Sequence, residues 1–84
     1  MKLTKTQAYL IKTQLDGEIE VTRSWGQGVN GGYYSDGARD LRAAFGLIKK
    51  GIVVEDRVSK YTDARGGYTT TTEIHIFRII NKEN

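Results

Sequence analysis

The chain has no cysteine, no proline and a single histidine. Without cysteine, disulfide staples, thiolate metal sites and thiol nucleophiles are all excluded. His75 by itself cannot build a zinc site without several carboxylate partners. No serine stands beside it in sequence, so nucleophilic catalysis has no visible set of groups. No apolar run approaches the roughly 18 residues of a membrane span, and the opening residues lack the apolar core of a signal peptide. The expectation is a cytoplasmic, non-enzymatic protein with no metal, no cofactor and no membrane partner.

What is present fits one small domain spanning residues 1–84. At this length folding buries only roughly 60–65% of the surface that the unfolded chain exposes, so the core is thin. Thirteen Lys and Arg against ten Asp and Glu give a net charge of +3. Residues 1–35 carry four basic and three acidic groups and residues 36–84 carry nine and seven, so neither half is strongly basic. A basic total permits nucleic-acid binding without demanding it; the position of the charges decides.

Thr4 and Gln7 form a capping-box pair, and Ala8, Ile11 and Leu15 follow at helical spacing before Gly17, which predicts a helix over Lys5–Leu15. From 18 to 25 the chain alternates, with Ile19, Val21 and Arg23 on one face, and reads as a short strand. Residues 26–35 hold four of the ten glycines and read as a loop. A second helix follows, capped by Ser35 or Asp36, with Leu41, Ala44, Phe45 and Ile48 as its apolar stripe and Gly51 as its stop. Two β runs, 52–61 and 68–80, are joined by 62–67 with Gly66-Gly67 as turn chemistry. Placing Val58 opposite Thr72 sets Arg57 against Glu73, Glu55 against His75, Val54 against Ile76 and Val53 against Phe77, every pair favourable or neutral.

The segment Arg39-Asp-Leu-Arg-Ala-Ala-Phe-Gly-Leu-Ile-Lys-Lys-Gly-Ile-Val-Val54 resembles the recognition helix of winged-helix DNA-binding domains running into the first wing strand. The opening Lys2-Leu-Thr-Lys-Thr-Gln7 is similar to the start of small phage- and mobile-element-type members of that family. The resemblance implies an α+β, winged-helix-like fold with two main helices, a short strand and a C-terminal long hairpin as the wing. It further implies a transcriptional regulator binding double-stranded DNA, with a homodimer doubling the small contact area. In such a protein Arg39 and Arg42, three residues apart on one helix face, would meet base edges in the major groove. Arg65 at the hairpin tip and nearby Lys60 would reach a phosphate or the minor groove, and Thr69 and Thr71 would hydrogen-bond phosphate.

Two other readings are weighed against this one. Where a winged helix has a short middle helix, this chain has a strand and the glycine-rich stretch, flanked by Trp25, Tyr33 and Tyr34. Aromatics dominate binding hot spots, so the alternative is a protein-interaction module, such as a phage-encoded inhibitor of a host or defence protein. The run from Gly26 to Gly31 matches G-x-G-x-x-G in letters, but the next helix opens about five residues late and no parallel strand is available for a nucleotide fold. His75 is read as a cross-strand partner of Glu55 and not as a base.

Overall fold

The computed structural model describes residues 2–27 and 32–80. Its elements are α1 (Lys5–Lys12), β1 (Glu18–Gln27), β2 (Tyr33–Asp36), α2 (Ala38–Lys49), β3 (Val53–Arg65) and β4 (Tyr68–Ile79). The fold is α+β, with two helices and one antiparallel sheet in the order β2-β1-β4-β3. The long β3–β4 hairpin resembles a wing. It extends past the helices, and the molecule measures 48 × 22 × 19 Å.

The capping box forms as the sequence predicts: Gln7 N donates to Thr4 Oγ1 and Thr4 N donates to Gln7 Oε1, both at 3.1 Å. The helix nevertheless stops at Lys12, three residues before the expected Leu15. Asp16 and Gly17 take positive φ (54° and 79°), so Leu15 and Glu18 close a tight turn through two 2.9 Å backbone bonds. Asp-Gly is strong turn chemistry, and here it wins over continued helix.

Beyond Trp25, β1 runs two residues further than expected, because β2 forms inside the predicted loop and pairs Ser24–Gln27 with Tyr33–Asp36. Residues 28–31, the centre of that predicted loop and part of its glycine pattern, lie outside the described residues. Ser35 and Asp36 therefore belong to a strand and do not cap α2. The N-cap is Gly37, at φ +84°, with no side-chain cap.

On α2 the buried row is Leu41, Ala44 and Leu47, not the predicted stripe ending in Phe45 and Ile48. Ile48 is only partly buried. Phe45 is left 40% exposed at the flank of the helix, edge-on to Phe77 and His75 with ring centroids 5.9 and 6.0 Å away. A flat sheet receives an i, i+3 row, and a residue one step round the helix reaches it only from the side. The core joins that row to Leu10, Ile19, Val21, Ile52, Val53 and Phe77.

The hairpin register also differs from the predicted one. Gly66 and Gly67 both take positive φ (52° and 91°), so two residues complete the turn and Arg65 pairs with Tyr68. The stretch 62–65, expected in the connection, continues the strand. Val58 therefore faces His75, Lys60 faces Glu73, and a bulge between Glu55 and Arg57 leaves Val53 opposite Ile79. Glu55 sits across from Phe77 but still reaches His75 diagonally, with Oε2 at 3.0 Å from Nδ1.

One polar residue ties the two helices together. Gln7 is 4% exposed; its Oε1 accepts from Thr4 N and from Lys50 Nζ (2.6 Å), and its Nε2 donates to Ala43 O at 3.2 Å. Gln7→Leu fills similar space but strands these partners, which costs about 1–3 kcal/mol. Urea denaturation is expected to show a lower midpoint with an unchanged slope; an unchanged midpoint would show that water replaces the amide without loss.

Candidate nucleic-acid interface

Side chains alternate along each strand, so the register assigns every residue to a face. Ile19, Val21, Arg23 and Trp25 of β1 share the helix-covered face with Phe77, His75, Glu73 and Thr71 of β4 and with Val58, Lys60 and Thr62 of β3. The lower rows carry the core. Toward the hairpin tip the same face turns polar, half-buried on β1 and β4 and exposed on β3. Arg23, Glu73 and Lys60 make one row across it, and Trp25, Thr71 and Thr62 make the next.

Trp25 organises the cations of this face. The Arg23 guanidinium lies 4.9 Å from its ring centroid and Lys60 Nζ lies 5.7 Å away. The electron-rich ring face draws two positive groups together that would otherwise repel. Thr62 and Thr71 hydroxyls lie 3.2 Å apart beside it. Glu73 is the one carboxylate in the two rows, and its oxygens are divided between Lys60 Nζ (4.0 Å) and His75 Nε2 (3.3 Å). With Glu55 on Nδ1, buried His75 has a carboxylate at each ring nitrogen.

Of the residues singled out from sequence, Arg42, Lys60, Thr69 and Thr71 come together on this side. Arg42 is exposed, forms no ion pair among the described residues, and lines a cavity with Arg23. Thr69 pairs with Gln27 one row beyond Trp25. Arg39 diverges: it lines a separate cleft with Lys5, Thr6 and Tyr9 of α1 and sits 3.8 Å from Asp40 Oδ1. Arg65 occupies the opposite face of the ribbon and pairs with Asp63 at 3.2 Å. The three aromatics are also divided. Tyr33, 84% exposed, shares the face of Trp25, whereas Tyr34 turns to the other side and its hydroxyl donates to Thr70 Oγ1 at 3.0 Å.

Arg23 is the residue that the sequence reading passed over as a site. Its signal was present: an arginine in register with Ile19 and Val21, on the apolar side of an alternating strand. Its Nε is buried and has no hydrogen-bond partner.

The two faces differ in charge. The helix side of the ribbon and the adjoining turn of α2 carry Arg23, Arg42 and Lys60 against Glu55 and Glu73. The open face carries Glu18, Glu20, Asp36 and Asp63 against Arg57, Arg65 and Arg78, with Arg57 held to Glu18 at 3.3 Å. The helix side thus has one more cation than carboxylates, and the open face has the reverse excess. No protein family, curated protein or solved structure matches this chain.

Proposed function

We propose that this is a small DNA-binding protein acting as a transcriptional regulator, with double-stranded DNA as its partner. The single observation that carries the reading is the pairing of Arg23 and Lys60 over Trp25, with Arg42 of α2 bordering the same cavity as Arg23. An α-helix fits the major groove, and a β-ribbon beside it can follow the phosphates. Arg42, exposed in the first half of α2, joins Arg23, Lys60 and the Thr69 and Thr71 hydroxyls as a phosphate contact that sets the helix against the groove.

Three cations meeting phosphate give a slope of about −2.7 for log affinity against log salt, a fall of about 40-fold between roughly 50 and 200 mM. Fluorescence of Trp25, the single tryptophan, reads this directly in titrations with random-sequence duplex. Arg42→Ala is expected to reduce the slope by about one and to weaken binding about equally on every duplex sequence. Arg65→Ala, whose guanidinium is held by Asp63 on the other face, changes affinity by less than about twofold. A binding curve flat across that salt range overturns the proposal.

The alternative partner, a host or defence protein docking on Trp25, Tyr33 and Tyr34, receives less support, since Tyr34 does not share a face with the other two. Capture of such a protein by the wild type but not by Trp25→Ala, with no response to duplex, would favour it.

A further inference from the structure

Between β1 and the first turns of α2 lies a cavity of about 250 Å³ lined by Arg23, Ala38, Leu41, Arg42 and Phe45. We infer that this cavity seats one phosphate group, held between the Arg23 and Arg42 guanidiniums. The inference deepens the DNA-binding reading and rests on it for the source of the phosphate, a backbone diester that fixes the register of the duplex on the protein.

The lining explains the choice of ligand. Two guanidiniums border the cavity and no carboxylate does; the remaining lining is apolar. Like charges beside a surface of low dielectric repel strongly unless an anion bridges them. Glu73, across from Arg23 on β4, does not serve, because it is engaged by His75 and Lys60. Arg23 Nε is buried with no acceptor, so the guanidinium is already desolvated on that side and meets the anion through its terminal N–H groups. The Arg23 guanidinium is fixed over Trp25, so little side-chain freedom is lost when an anion binds. Ala38 opens α2 behind a glycine that offers no side-chain cap, so its backbone N–H faces no competing hydroxyl or carboxylate from the N-cap. A planar guanidinium suits the tetrahedral oxyanion because it donates two parallel N–H groups.

The test follows the Arg23 Nε–H and Ala38 amide signals by NMR in the full chain, because burial slows the exchange of the Nε–H. Inorganic phosphate and a twelve-base-pair duplex are titrated separately. Saturable movement of both signals with duplex, lost in Arg42→Gln and kept in Lys49→Gln, supports the inference with a backbone phosphate as the source. Movement with inorganic phosphate but not with duplex supports the cavity as a phosphate site while removing DNA as its source. Salt-dependent quenching of Trp25 by duplex, with both signals unmoved, overturns the cavity and leaves the DNA reading standing. No response to either titrant overturns both.

Discussion

Phe77→Ala is expected to remove about 3–5 kcal/mol of stability, the cost of truncating a fully buried aromatic in a core that cannot collapse around the void. Phe77 is 0% exposed and stands at the centre of the sheet, opposite Ile19 on one side and Glu55 on the other. Its ring lies parallel to His75 at 6.1 Å and meets the edge of Phe45 at 5.9 Å. Removing it takes the packing from both neighbours and opens space beneath α2. A domain of this size has a net stability of only about 5–15 kcal/mol, so the loss is a large share of the whole. Guanidinium denaturation monitored at Trp25 should place the midpoint well below that of the wild type. A shift corresponding to less than about 1.5 kcal/mol would mean that Phe45 swings in to fill the site.

The second large effect belongs to Gly37. Its φ is +84°, and a Cβ there would overlap the carbonyl oxygen of Thr22 in the backbone of β1. Two costs coincide in Gly37→Ala: a left-handed conformation for a residue with a side chain, and displacement of a neighbouring strand. Together they amount to about 2–5 kcal/mol. Gly37→Asn separates them, since asparagine tolerates the left-handed region but still carries the Cβ. Equal losses in the two variants point to the overlap; a marked recovery with asparagine points to the backbone angle. Gly37 also sets the approach of α2 to Thr22 and Arg23, so any surviving folded Gly37→Ala is expected to bind duplex more weakly. Retained stability together with retained affinity would show that the α2–β1 approach is not tight.

The parts of the fold that the sequence makes legible are those governed by residues close together in the chain. The Thr4–Gln7 capping box, the alternation from Glu18, the second helix and the turn at Gly66-Gly67 each follow from chemistry within a few positions. The differences arise where two local preferences compete or where a partner is distant. Asp16-Gly17 can end a helix or make a turn, and the Leu15–Glu18 pairing decides for the turn. Tyr33 and Tyr34 favour a strand, but beside the glycines and Ser35-Asp36 the run is too short to read as one, and it becomes β2 because the edge of β1 is open to pair. Phe45 and Leu47 are both apolar, and only the plane of the sheet determines which of them is buried.

The candidate site divides in the same way. That Arg42, Lys60 and Thr69 are exposed on amphipathic elements, with Thr71 half-buried beside them, follows from their spacing. That Arg65 turns away and Arg39 leans toward α1 does not, because each depends on the parity of a strand or the position of another helix. The two-residue turn moved the pairing of β3 against β4 and put Lys60, not Arg57, opposite Glu73.

The succession of α1, β1, α2 and the long β3–β4 hairpin and the α+β class were determined by the sequence alone, since hydrophobic period and turn chemistry are local properties; β2 was not. The meeting of Arg23 and Lys60 over Trp25, and of Arg42 with Arg23 at one cavity, was decided only by the tertiary structure. Those residues come from three elements, and the sum of charges along a chain says nothing about which of them a sheet and a helix will bring to one side.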